Sequence, residues 1–262
     1  LRDLLGPPHF SAMNTRAVVT LANRGAARVI ANSQATAAAF VAAGGASAKV
    51  RVVHNGIDAA PFDAVTDTDA RVLRAELSPT ANFVMAMFGR LSPWKGQDVA
   101  LAALRALPPD CHLWIVGAAL FGELAYEAEL RAAAALLGVA DRVCFLGFRD
   151  DVPALMKAAD VVVHASTLPE PFGRVAVEGM LAARPVVATA AGGIGEIITD
   201  GRTGVLVPPG DASALARAVQ ALRSDPSRAA GLAAAGAAHA RAAFTVGAMV
   251  RGVRAVLDEV TG

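Results

Sequence analysis

Residues 159–178 read ADVVVHASTLPEPFGRVAVE and predict a strand, a loop and the start of a helix. The apolar run before the loop is typical of a strand covered on both faces. Glu170 follows between Pro169 and Pro171, which both exclude regular structure, and a helix is predicted from about residue 173. Because a helix N-terminus offers free N–H groups and a positive dipole, this loop predicts a site for an anionic ligand.

A second carboxylate, Glu178, lies about two turns into the predicted helix. At a rise of about 1.5 Å per residue, Glu170 and Glu178 are about 12 Å apart along the helix axis. A glycosidase acid pair needs a separation of about 5–9.5 Å. We therefore expect the two acids to hold opposite ends of one long ligand.

Three further segments have motif character: NGID at 55–58, GRLSPWKG at 89–96 and AGGIGE at 191–196. In the second segment, Arg90 and Lys95 lie close to a predicted helix N-terminus. Arginine can engage phosphate oxygens through two N–H groups and lysine acts as a point charge, so the pair suits a diphosphate. Two solvated surface cations are the alternative interpretation of the same residues.

The chain from residue 70 onward alternates between strand and helix patterns. The predicted strands lie at about 83–88, 112–116, 142–146, 160–163, 185–189 and 203–206, and the predicted helices at about 70–77, 96–106, 122–137, 150–158, 173–183, 193–199 and 211–223, with further helices between 226 and 260. The strands are continuous apolar runs rather than alternating ones. This pattern predicts an α/β fold with a doubly wound, Rossmann-like parallel sheet whose ligands lie at the carboxyl ends of the strands.

The first 58 residues do not look like the start of a domain. They predict two short strands, at about 28–33 and 50–54, with a helix between them, and a sheet of two short strands is marginal. We therefore expect this segment to belong to a larger sheet. Pro61 and the Asp- and Thr-rich run to Asp69 predict a crossing between domains.

Glu-Pro-Phe-Gly at 170–173, with seven residues between its glutamate and Glu178, resembles the donor-site signature of retaining nucleotide-sugar glycosyltransferases of family four. Those enzymes have the GT-B fold. The three other motif segments agree with the family in the same order. The resemblance implies the end of an N-terminal acceptor domain at 1–58, a nucleotide-sugar-binding domain at 59–240 and a C-terminal crossover helix at 241–262.

The resemblance also implies roles for individual residues. Arg90 and Lys95 would bind the donor diphosphate and stabilise it as the leaving group, and Glu170 would accept hydrogen bonds from the donor sugar. Glu178 would bind the ribose hydroxyls. The other implied donor-binding residues are Gly89, Phe148, Phe172, Gly173, Arg174, Val175, Gly192 and Gly193. The alternatives are a plain loop acid at 170, an exposed helix acid at 178 and close helix–strand packing at the glycine turn.

Two further residues receive weaker interpretations. His164, at the end of a predicted strand near the cleft, is a candidate for a minor role in the site. Glu196 is interpreted as a first-turn acid that its own helix dipole favours.

The implied reaction moves a sugar from a nucleotide diphosphate, UDP or GDP, to an acceptor hydroxyl with retention of configuration. Neither a metal nor another cofactor is expected, because the two cations take the place of a metal. The acceptor stays open among a glycan, a lipid and a small molecule. A non-catalytic nucleotide-sugar-binding module and a GT-B nucleotide-sugar 2-epimerase are the alternative functions. The resemblance assigns only the end of the acceptor domain to this chain. Whether the isolated chain is active therefore stays open.

Bulk properties narrow the class of protein. The 262 residues are 55% hydrophobic and 18% charged with a net charge of +1, which favours a well-cored globular protein over a nucleic-acid binder. Residues 1–60 carry six basic side chains against two acidic ones, which predicts a solvated face or a domain interface. Contact of this basic edge with an anionic membrane or substrate is the alternative.

The expected location follows from the cysteines and the first residues. Cys111 and Cys144 have no CxxC spacing, which predicts reduced, buried thiols. The chain opens Leu-Arg-Asp, without the basic and then apolar start of a signal peptide. We expect a cytoplasmic protein, and association with the cytoplasmic face of a membrane is left open.

Overall fold

The computed structural model describes residues 1–7, 10–120 and 123–261, which form eight strands and twelve helices. The strands are β1 (Val29–Ala31), β2 (Val50–Val52), β3 (Phe83–Phe88), β4 (Cys111–Val116), β5 (Val143–Gly147), β6 (Val161–His164), β7 (Val186–Thr189) and β8 (Val205–Val207). The helices are α1 (Ala12–Gly25), α2 (Gln34–Ala42), α3 (Ala60–Asp63), α4 (Asp67–Leu77), α5 (Gln97–Arg105), α6 (Leu124–Leu136), α7 (Val152–Ala158), α8 (Arg174–Leu181), α9 (Ile194–Ile197), α10 (Ala212–Ser224), α11 (Pro226–Ala243) and α12 (Val246–Thr261).

Six strands form one parallel sheet in the order β5-β4-β3-β6-β7-β8, with helices on both of its faces. Alternate residues of β6 show why its sequence is continuously apolar. Val162 packs into the core on one face, whereas Val161 and Val163 pack into the core on the other. The structure thus confirms the predicted doubly wound parallel sheet.

The run 61–69, predicted to form a crossing between domains, contains α3 and the start of α4. Thr66 Oγ1 accepts the Asp69 N–H at 3.1 Å, and the Asp69 carboxylate accepts the Thr66 N–H at 2.9 Å. This capping box starts α4 at Asp67, three residues before the predicted start. Residue 122, at which another helix is predicted to begin, lies outside the described residues, as does residue 262 at the end of the predicted crossover helix.

The N-terminal segment forms a small unit of its own. Its strands β1 and β2 pair in parallel, and α1 and α2 cover a core that includes Val19, Val29 and Phe40. Helix α12 packs against this unit, where Glu259 pairs with Arg28 at 3.0 Å and with Arg51 at 2.8 Å. Residues that follow β1 and β2 line one cavity together with residues at the carboxyl edge of the larger sheet. None of the helices in the described ranges combines the length and apolar character that a membrane crossing requires.

Candidate active site

Lys95 lies at the carboxyl edge of the large sheet, in the 3₁₀ turn Pro93–Lys95. Gly96 ends this turn with a φ of 77°, and a Cβ atom there would lie 2.1 Å from the carbonyl oxygen of Ala165. The Thr167 N–H also donates to the Trp94 carbonyl at 2.8 Å. A glycine is therefore required at 96 for the turn to pack directly against the end of β6.

The loop that carries Glu170 packs against the glycine turn before α9. The Gly193 N–H donates to the Glu170 carbonyl oxygen at 2.8 Å. Gly192 has a φ of 64°, and a Cβ atom there would lie 2.1 Å from the same oxygen. The PEPFG and AGGIGE motifs are thus two halves of one backbone arrangement, which explains why glycine occupies position 192.

A cluster of polar side chains surrounds the carboxylate of Glu170, which is 8% exposed. Its Oε1 accepts hydrogen bonds from Lys95 Nζ and from Ser166 Oγ, the latter at 2.8 Å, and lies 3.1 Å from His164 Nε2. Lys95 Nζ also lies 4.2 Å from the ring centre of Trp94, a cation–π contact. Within the described part of the chain, the side-chain contacts of Glu170 are all made through Oε1, so Oε2 is available to a ligand.

The cluster keeps Glu170 ionised. Burial raises the pKa of this carboxyl, but the hydrogen bond and charge of His164 and the charge of Lys95 lower it further than burial raises it. The net pKa lies well below the usual range. At neutral pH, Glu170 is therefore a hydrogen-bond acceptor, suited to the hydroxyl groups of a sugar.

A cavity of about 350 Å³ opens beside this cluster. It is lined by six of the predicted site residues, which are Lys95, Glu170, Phe172, Gly173, Arg174 and Val175, and by His164. The N-terminal segment contributes Asn32, Asn55 and Gly56 to the same walls. The described residues hold no group of three or more His, Cys, Asp or Glu side chains arranged for a metal ion. Lys95, Arg174 and Arg2 are the cations that line this cavity, and Lys95 is the one paired with Glu170.

The side chains of the other predicted residues are not part of the cavity lining. Arg90 Nε lies 3.8 Å from Glu123 Oε2, and the side chain is about one-third exposed. Glu178 accepts a hydrogen bond from Arg174 at 3.2 Å. The Phe148 side chain follows β5 and is 82% exposed.

The predicted glycines have separate positions. Gly89 lies directly after β3, where a Cβ atom would come within 4.0 Å of Lys95 Cε. Gly192 and Gly193 lie behind the Glu170 backbone, as described above. Gly89 therefore borders the Lys95 side chain, whereas the other two support the acid loop.

Three residues have contacts that the motifs do not predict. Ser166 donates to Glu170, and His164, the candidate for a minor role in the site, contacts the same carboxylate. Glu196 lies in the first turn of α9, but its carboxylate contacts another helix. It accepts the N–H groups of Gln34 at 2.7 Å and Ala35 at 3.0 Å, at the start of α2. The dipole that favours Glu196 is therefore that of α2 as well as its own.

The fold and the site define a class of protein. A doubly wound sheet carries a lysine paired with a buried carboxylate at its carboxyl edge, in a cavity shared with a second α/β unit. The family model for group 1 glycosyl transferases matches residues 70–239. The chain belongs to this family and has the GT-B architecture.

Individual relatives are similar over most of the chain. The structure of Alr3699/HepE from Anabaena in complex with UDP and glucose has a TM-score of 0.95 and 44% identity, over 98% of this chain and 70% of that one. A D-inositol 3-phosphate glycosyltransferase from Mycolicibacterium gilvum is 36% identical over 96% of this chain and 56% of its own length. The enzyme of the same name from Salinispora tropica is 39% identical over 74% of this chain and 42% of its own length. The chain thus spans about half the length of the curated relatives it matches.

Proposed function

We propose that this chain forms the donor-binding part of a glycosyltransferase that moves glucose, or a closely related hexose, from a UDP-sugar to an acceptor hydroxyl with retention of configuration. The observation that carries the proposal is the pairing of Lys95 with the buried carboxylate of Glu170 at the carboxyl edge of the sheet. The pair lies where parallel α/β sheets bind nucleotides. The pair presents a cation to a diphosphate and a carboxylate to a sugar.

The chemistry follows from these two groups. In the transfer, the bond between the anomeric carbon and the diphosphate oxygen breaks, and its electron pair stays on the diphosphate. The acceptor oxygen forms the new bond to the same carbon, and its proton passes to the departing diphosphate. Lys95, Arg90 and the N-terminus of α8 stabilise the negative charge that develops on the leaving group. No metal or other cofactor has a part in this proposal.

Glu170 positions the sugar. Its Oε1 is occupied by Lys95, Ser166 and His164, so Oε2 receives a sugar hydroxyl. A carboxylate held by three neighbours does not need to reorient when the donor binds, which favours precise placement of the anomeric carbon. Glu178 binds the ribose after its bond to Arg174 opens, and Phe148 stacks against the base.

The choice of donor is supported by similarity. The crystal structures of Alr3699/HepE that match this chain at 43–44% identity contain UDP, UDP with glucose, or UDP-glucose. Retention is taken over from the resemblance of the Glu-Pro-Phe-Gly motif.

Calorimetric titration with UDP, GDP, ADP and UDP-glucose tests the proposal. We expect UDP and UDP-glucose to bind, and GDP and ADP to bind at least tenfold more weakly, a difference of about 1.4 kcal/mol. A folded chain that binds none of the four contradicts the proposal. Binding of UDP-glucose without turnover, either to water or to a sugar acceptor, would favour a non-catalytic nucleotide-sugar-binding module.

A further inference from the structure

The acid loop 170–173 is in contact with the N-terminal segment as well as with its own domain. Ser33 is the N-cap of α2, and its Oγ accepts the Thr36 N–H at 2.9 Å. The same Oγ donates its single proton to the carbonyl oxygen of Pro171, directly after Glu170. One hydroxyl thus caps α2 and fastens the acid loop to it.

Glu196 makes the second connection. Its Oε2 accepts the backbone N–H of Gln34 at 2.7 Å and lies 3.0 Å from His54 Nε2. Its Oε1 accepts the backbone N–H of Ala35 at 3.0 Å. The carboxylate therefore takes three contacts from the N-terminal segment on its two oxygens. Its side chain is 19% exposed, so these contacts are largely shielded from water.

His54 extends the connection to the acid loop itself. Its ring centre lies 5.9 Å from that of Phe172 and 5.5 Å from that of Phe244. The partner that orients the His54 ring through Nε2 is Glu196. His54 thus covers Phe172, two residues after Glu170, in an orientation that depends on Glu196.

We infer that Glu196 is a positioning residue, which holds α2 and His54 against loop 170–173 and thereby keeps Glu170 in its place beside Lys95. The loop then has support on two sides: the Gly193 N–H in its own domain, and Ser33 and His54 in the N-terminal segment. The expected effect of Glu196 on catalysis rests on the proposed function of Glu170. The expected effect of Glu196 on the position of the loop is independent of that function, because it follows from the contacts alone.

Glu259 provides a matched control. It is also a carboxylate that ties the N-terminal segment to the rest of the chain, through Arg28 and Arg51. Glu259 lies on α12, and its partners are Arg28, directly before β1, and Arg51 of β2, not residues of the acid loop. Loosening of the interface in general should affect both acids alike, whereas positioning of the loop should depend on Glu196 alone.

The first measurement is amide hydrogen exchange of the unliganded protein, in wild type and in the variants Glu196→Ala, Glu196→Gln and Glu259→Ala. We expect exchange in a peptide spanning 168–174 to rise on the order of tenfold in Glu196→Ala. Glu196→Gln keeps one acceptor oxygen and should fall between wild type and Glu196→Ala. Glu259→Ala should leave this peptide unchanged, and a peptide covering β4 should stay protected in every variant that folds.

The second measurement is turnover of UDP-glucose. Glu196→Ala should lower kcat on the order of tenfold with a smaller change in KM, because the sugar is misplaced rather than unbound, and Glu196→Gln should recover part of the loss. The inference is overturned if the loop of Glu196→Ala exchanges at the wild-type rate, or if Glu259→Ala increases exchange in the loop as much as Glu196→Ala does. It is also overturned if Glu196→Ala increases exchange in the loop without lowering kcat. If the wild-type chain binds no UDP-sugar, the proposed function fails, and the exchange measurement still decides whether Glu196 holds the loop.

Discussion

The two edges of the six-stranded sheet use charge in different ways. At the amino edge, ion pairs join helices to strands: Arg223 pairs with Asp110 at 2.7 Å, and Arg74 pairs with Asp160 at 2.6 Å. Asp160 also accepts the Val84 N–H at 2.7 Å. At the carboxyl edge, Glu170 gathers its partners from three loops or strand ends around a cavity. Ion pairs at the amino edge join elements of the fold, whereas we propose that the charges at the carboxyl edge bind a ligand.

Cavity size alone would point to the opposite edge. The space at the amino edge, between α11 and the sheet, measures about 820 Å³, whereas the cavity beside Glu170 measures about 350 Å³. Four of the residues that line the larger space are alanines of α11, and the ion pairs beside it stay about one-quarter to one-third exposed. A buried, ionised carboxylate with a shared lysine is therefore the better marker of the functional site than volume.

The largest difference between the edges should appear on loss of a cation. Lys95→Met should lower kcat/KM for UDP-glucose by about 100- to 1000-fold, because it removes a cation from the leaving group and the partner of Glu170. Arg223→Met, at the amino edge, should leave kcat/KM unchanged and lower the melting temperature by a few degrees at most. Steady-state kinetics and thermal denaturation of both variants make the comparison. Similar activity of the two variants would show that charge at the carboxyl edge has no special role.

A backbone change at the carboxyl edge should have the next largest effect. In Gly192→Ala, the new Cβ would lie 2.1 Å from the Glu170 carbonyl oxygen, so the acid loop must move. We expect UDP-glucose turnover to fall by roughly 100-fold. Gly210→Ala is the control, because Gly210 also has a positive φ, of 75°, but has open space around its Cβ position.

Gly210→Ala should therefore cost only the strain of a left-handed residue, about 1 kcal/mol of unfolding free energy, and leave turnover intact. Equal loss of turnover in both variants would mean that φ, and not contact with the acid loop, explains the glycine at 192.

An exposed aromatic side chain offers a third comparison. Phe148, at the carboxyl edge, is 82% exposed, and Leu136, at the end of α6 near the amino edge, is 89% exposed. Phe148→Ala should weaken UDP binding by roughly tenfold through loss of base stacking, without a change in melting temperature. Leu136→Ala should alter neither quantity. If calorimetry showed that Phe148→Ala binds UDP with wild-type affinity, Phe148 would not be part of the binding site.

The smallest effect concerns stability in acid. The pKa of Glu170 is lower in the folded state than its unfolded value of about 4.3, so its contribution is present above about pH 4 and is lost as the pH falls below it. The free energy of unfolding should therefore fall more steeply between about pH 4 and about pH 2 in wild type than in Glu170→Gln.

Asp110→Asn is the control from the amino edge. Hydrogen bonds from Asn82 and Arg223 also lower the pKa of Asp110, but this carboxyl is exposed to solvent. Its removal should flatten the acid dependence less than Glu170→Gln does, because water screens its interactions. Denaturant titrations at several pH values measure how the free energy of unfolding depends on pH in each variant. If Asp110→Asn flattened this dependence more than Glu170→Gln, the role given to burial would be contradicted.

Much of the fold was predictable because it depends on local pattern. Val161 and Val163 face one core and Val162 the other, so a strand buried on both faces has to be apolar at every position. The strand ends then place the motif loops at one edge of the sheet. The start of α4 was not predicted, because Thr66 and Asp69 have the composition of a linker and become a cap only when their backbone geometry allows it.

The sequence by itself determined the parallel sheet, the loops at its carboxyl edge and the residue types that could bind a sugar nucleotide. Only the tertiary structure decided which of them touch: Lys95 and Glu170 are 75 residues apart in the chain, and Glu196 and Ala35 are 161 apart. Periodicity reports which face of a strand or helix is buried, and it holds within one element. Contacts between loops depend on how distant elements pack, and here a few close backbone approaches, such as Gly192 against Glu170, bring those side chains together.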